Sequence, residues 1–105
     1  MKHAIAHHLD LPTAIVAAHK AAEAYALRLA KYQPTTTWVR ETQADIHFKA
    51  KGIDLKGTIR VDKGHIEFEL HVPLLLRPFQ ALAVPILERE VREWIGKAER
   101  HELDA

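Results

Sequence analysis

The sequence contains no cysteine. That excludes disulfides, thiolate metal sites and a cysteine nucleophile, and it suits a reducing compartment. Charge of one dominant sign is also missing. Fifteen basic residues face fourteen acidic ones, a net charge of +1. So balanced a chain builds no broad field to gather nucleic acid. Lys49, Lys51, Lys56, Arg60 and Lys63 could form a basic stripe. Glu67 and Glu69 dilute it, and no aromatics interleave for base stacking. No apolar run approaches the roughly 20 residues of a membrane-spanning helix. The first ten residues, MKHAIAHHLD, are too polar for a secretory signal. There is no phosphate loop, dinucleotide fingerprint or nucleophile motif. HExxH and His-x-His pairs are absent too.

What is present is the composition of one globular domain over residues 1–105, with 48% apolar and 28% charged residues. Asp10 is a natural N-cap, and Pro12 is pre-set for a first helical turn. Leu11, Ile15, Ala18, Ala22, Tyr25, Leu29 and Tyr32 then recur at spacings of three and four, which predicts a helix over residues 11 to 32. A short strand, HAIAHHL, precedes it, and QPTTT ends it.

The middle of the chain alternates with period two. Ile46, Phe48 and Ala50 oppose Asp45, His47 and Lys49. Leu55, Ile59 and Val61 oppose Lys56, Thr58 and Arg60, and Ile66, Phe68, Leu70 and Val72 oppose His65, Glu67, Glu69 and His71. Such alternation predicts an antiparallel meander with one dry and one wet face. KGID and DKG supply the turns. The wet face carries acids beside histidines, and cross-strand ion pairs account for them more simply than acid–base chemistry does.

A closing helix is expected from about Leu74 to about Arg100, its inner stripe starting with Leu75, Phe79, Leu82 and Ile86. Pro78 fits a first turn, whereas Pro85 should kink the helix or divide it. The fold class is therefore α+β. The order is β-α-β-β-β-β-α, and both helices pack on one sheet face.

The run LLLRPFQALAVPIL, residues 74 to 87, holds a single charge, Arg77. One helix face cannot hide all of it. Leu74, Leu76, Ala81, Val84 and Leu87 are left over as a hydrophobic contact surface. Trp38, Phe48, Phe68 and Phe79 are candidates to line a cavity between sheet and closing helix. Eight histidines stand out. His65 and His71 share a strand face but lie about 20 Å apart, too far for one ion. No metal site or cofactor is expected. His7, ahead of the first helix, is read as satisfying backbone groups, with a functional role as the other option.

The chain resembles the bacterial polyhydroxyalkanoic acid system proteins, also called the polyhydroxyalkanoate granule-associated region. The resemblance rests on His7 and Leu9, Trp38, Phe48, Gly52, Gly57-Thr58-Ile59-Arg60-Val61, Leu70, Leu74-Leu75-Leu76, Pro78-Phe79 and the closing PILEREVREWI. It implies a cytoplasmic protein of storage-polyester granules, a helix-grip-like arrangement and no catalytic set. The resulting expectation is a non-enzymatic accessory protein, docking on a granule or on a granule-associated protein. Two other readings stay open. One is a carrier of an acyl or hydroxyacyl unit; the other is a homodimer joined through the closing helix.

Overall fold

The structure, a computed structural model, describes residues 2–102. Strand β1 (Lys2–Ala6) leads to helix α1 (Leu11–Arg28), and a 3-10 turn over Ala30–Tyr32 follows. Strands β2 (Thr35–Arg40), β3 (Gln43–Ala50), β4 (Ile53–Val61) and β5 (His65–His71) come next. A second 3-10 turn, Leu74–Leu76, opens into helix α2 (Arg77–Glu99).

The α+β expectation is met. Five strands form one antiparallel sheet in the order β1-β5-β4-β3-β2. Consecutive strands β2 to β5 form a meander, because their connections are too short for anything but hairpins. The β3–β4 turn has two residues between the strands. Lys51 and Gly52 both take positive φ (53° and 77°), as a two-residue turn matched to strand twist requires. Strand β1 joins the far edge beside β5, after which α1 carries the chain back across the sheet.

Period-two alternation fixes which face is covered. Ala44, Ile46, Phe48 and Ala50 of β3 are buried, and so are Leu55, Ile59 and Val61 of β4 and Ile66, Phe68 and Leu70 of β5. Both helices lie on that face and share one core with it. They run antiparallel: Asp10 and Thr13 lie close to Ala98 and Glu99, while the Tyr32 ring meets Phe79 edge-on at 4.8 Å. Helix α1 buries a stripe of small residues, Ala14, Ala17, Ala18, Ala21 and Ala22, before Tyr25. Alanine lets its backbone approach the neighbouring elements closely and costs no side-chain entropy. The Asp10 carboxylate accepts the Thr13 N–H at 2.8 Å and caps the helix as expected. Bonds to the Thr13 side chain and backbone hold that carboxyl below its ordinary range.

Pro85 does not divide α2, which runs from Arg77 to Glu99 with the proline inside it. It sits on the exposed side with Ala81, whose carbonyl loses its helical partner. Water can satisfy that carbonyl, so the proline is tolerated.

Candidate docking site

Strand β5 ends against Pro73, whose backbone is extended (φ −59°, ψ 151°). The chain must then reverse onto the sheet. It does so through three leucines in a 3-10 turn closed by the Leu76 N–H donating to the Pro73 carbonyl at 2.9 Å. Such a turn has three residues per revolution, so three successive side chains point in three directions. Only one can meet the core. Leu76 does, at 2% exposure, while Leu74 and Leu75 are left 73% and 77% exposed.

Helix α2 begins immediately afterwards, with Pro78 in its first turn. Its buried residues are Phe79, Ala83, Leu87, Glu90, Val91, Ile95 and Ala98. The opposite side presents Pro78, Ala81, Leu82 and Pro85 to solvent, with Val84 half-buried. Two hollows border this corner. One, about 160 Å³, is walled by Tyr32, Ala50, Lys51, Leu75, Leu76, Pro78 and Phe79. The other is a shallower depression of about 460 Å³ along Arg77, Gln80, Ala81, Val84 and Pro85. Uncovered leucines and prolines thus meet the exposed ends of a hairpin turn and a helix. Large exposed apolar patches are candidates for contact sites.

The contact surface expected from the sequence is divided by the structure. Leu74 and Ala81 are exposed and Val84 is partly so, but Leu76 and Leu87 (1% exposed) belong to the core. The inner stripe changes with them: Phe79 is buried, whereas Leu75 and Leu82 face water. The cause is helical phase. The α-helix starts at Arg77 rather than near Leu74, and the preceding turn winds at three residues per revolution instead of 3.6. Extrapolating one regular helix back to Leu74 puts Leu74 to Leu76 on the wrong sides, while within α2 itself the buried stripe follows Phe79, Ala83 and Leu87 rather than Phe79, Leu82 and Ile86.

The four aromatics expected to line one cavity are spread out. The Phe48 ring packs between Tyr25 (centroids 5.9 Å) and Phe79 (5.3 Å). Phe68 is buried further along the sheet and stacks on His3. Trp38 lies on edge strand β2, stacked on His19 of α1 at 3.6 Å. Of the four, only Phe79 borders the hollow beside Leu75.

His7 is buried, and both ring nitrogens serve the backbone. Its Nδ1 accepts the Leu9 N–H at 3.1 Å. The proton must therefore sit on Nε2, which donates to the Asp62 carbonyl at 2.9 Å. On the outer sheet face, His47 and His71 both register against Lys56 rather than against each other. Lys2 and Glu67 make a cross-strand ion pair there at 3.7 Å.

Two polar contacts escaped the sequence reading. Glu90 is 3% exposed, and Arg28 Nε donates to its carboxylate at 2.8 Å, tying α2 to the end of α1. The available signal was an acid three residues after Leu87 and one before Val91, on the stripe facing the core. The Tyr25 hydroxyl pairs with Thr36 Oγ1 at 2.8 Å. Burial drives its pKa up to about 12, outweighing the opposing pull of that bond.

Comparison with known proteins identifies a family. The model of the family described as "Putative polyhydroxyalkanoic acid system protein" matches residues 3–95. No curated protein and no solved structure matches the chain. Among the described residues, no helix is long and apolar enough to cross a membrane.

Proposed function

Since this chain belongs to the polyhydroxyalkanoic acid system family, we propose that it is a non-catalytic accessory protein of polyester storage. It docks on a hydrophobic granule or partner surface through the corner where β5 turns into α2. One observation carries this reading: Leu74 and Leu75, successive residues of a hydrogen-bonded turn, are each about three-quarters exposed. Fully burying a leucine gains roughly 1.5–3 kcal/mol. Two uncovered leucines on a small protein therefore forgo a gain that a partner surface would restore. Pro78, Ala81, Leu82 and Pro85 extend the same exposed side of α2.

Sedimentation of the purified protein with polyester particles tests it. The native chain should pellet with the particles. Leu74→Glu/Leu75→Glu should remain in the supernatant while keeping its far-UV circular dichroism, because both side chains already lie in water. Equal pelleting of the two would rule out this corner as the contact. A native chain that stays in solution would remove bare polyester as the docked surface.

A further inference from the structure

The apolar corner has a charged rim of one sign. Lys51, in the β3–β4 turn, walls the same hollow as Leu75 and Pro78. Arg77 directly follows the leucine turn and walls the shallow depression on its other side. Lys31 stands over the ring of Tyr32, which borders the first hollow, with Nζ 5.9 Å from the centroid. All three are exposed, and none is ion-paired with an acid among the described residues. No Asp or Glu lines either hollow. Of the acids nearby in the sequence, Glu88 is paired with Arg92 at 3.0 Å and Asp54 stands opposite Lys49 across the β3–β4 pair. The protein as a whole is nearly neutral, so three unopposed cations around two bare leucines form a local arrangement, not a reflection of overall charge.

We infer that this corner seats in the headgroup layer of an anionic lipid surface, with Leu74 and Leu75 entering the acyl boundary and Lys31, Lys51 and Arg77 meeting the lipid phosphates. Apolar side chains flanked by cations are the chemistry of interfacial binding, where each component alone is weak and the two together hold. A bare polyester face offers ester groups and no net charge, and so gives the cations nothing to pair with. The inference rests on the docking reading above and adds the chemical nature of the surface.

The test compares sedimentation with vesicles of phosphatidylcholine, vesicles of phosphatidylcholine mixed with phosphatidylglycerol, and lipid-free polyester particles. The native chain should prefer the anionic vesicles, and raising the salt should erase that preference. Lys31→Gln/Lys51→Gln/Arg77→Gln should weaken anionic-vesicle binding by on the order of fivefold per charge removed. It should bind neutral vesicles as the native chain does. Leu74→Glu/Leu75→Glu should bind neither. Equal native binding to both vesicle types would overturn the inference, and so would binding to polyester but not to anionic vesicles, which leaves the docking reading standing. Absence of binding to all three surfaces would end both. Self-association lost in Leu74→Glu/Leu75→Glu, with no vesicle binding, would assign the corner to a second copy and overturn the lipid surface.

Discussion

His7 Nε2 donates to the carbonyl oxygen of Asp62 at 2.9 Å, joining the end of the first strand to the turn between β4 and β5. The His7 N–H reinforces this join by donating to the Gly64 carbonyl at 3.0 Å. Side chain and backbone of one residue thus hold a turn 55 residues away, while the other ring nitrogen accepts from Leu9 just ahead of α1. A local residue has become a three-way joint between edge strand, hairpin and helix.

Removing that joint takes a hydrogen-bond partner from the Leu9 N–H and from the Asp62 carbonyl. His7→Ala should cost about 1–3 kcal/mol in urea unfolding. His7→Gln keeps a donor near the position of Nε2 and His7→Asn keeps an acceptor near Nδ1, so each should fall between the native chain and His7→Ala. A His7→Ala loss no greater than that of an exposed histidine, such as His65→Ala, would show that the joint does not bear on stability.

Arg28 and Glu90 make a lopsided pair. The carboxylate is buried and the guanidinium half-exposed. Water screens the exposed partner, so Arg28→Ala should cost less than breaking a fully buried pair: about 1–3 kcal/mol. Replacing both by leucine should recover most of the loss, since the buried charge goes too. A double-mutant cycle in denaturant measures the coupling.

Gly57 lies in the central strand β4, between Ile46 and Leu70. A methyl group there would run into the Glu69 carbonyl oxygen and come within 2.8 Å of Leu70 Cδ2. Backbone cannot yield as a flexible side-chain tip can. Gly57→Ala should therefore lower stability by about 1–3 kcal/mol, whereas Gly64→Ala, with nothing within 4 Å, should not show this overpacking.

Alkaline pH should destabilise the fold through Tyr25. Its hydroxyl titrates near 10 when unfolded and near 12 when folded. Between these values the unfolded chain loses a proton that the folded chain keeps, so stability falls as pH rises. It is full below pH 10 and declines through the window up to about 12, by a total of about 2–3 kcal/mol. Tyr25→Phe should give up about 1 kcal/mol at neutral pH with the Thr36 bond and should remove Tyr25's share of the alkaline decline. An unchanged slope in Tyr25→Phe would assign the decline to other groups.

Much of the site was legible in part only. Leu74 and Ala81 were read as uncovered and are. Leu76 and Leu87 were read the same way and are not: Leu76 turns inward from the 3-10 turn, and Leu87 lies on the face of α2 that packing against the sheet selects. The cations at the corner come from three separate segments, so no spacing along the chain could assemble them. Glu90 shows the same limit: an acid on an apolar stripe is visible in the sequence, but its partner on another helix is not.

By itself the sequence determined the dry faces of β3, β4 and β5, because successive side chains in a strand must alternate, and a run such as Ile66, Phe68, Leu70 against Glu67, Glu69 has only one way to bury its apolar half. It likewise determined the cap at Asp10 and the turn at Lys51–Gly52, which depend on neighbouring residues alone. Tertiary structure decided which leucines of the closing segment stay wet, that Phe48 and Phe79 close on each other, and that His7 reaches Asp62. Those outcomes depend on where separate elements come to rest. A helix can meet the sheet in several phases, and only packing of the whole set selects the one that leaves Leu74 and Leu75 outside.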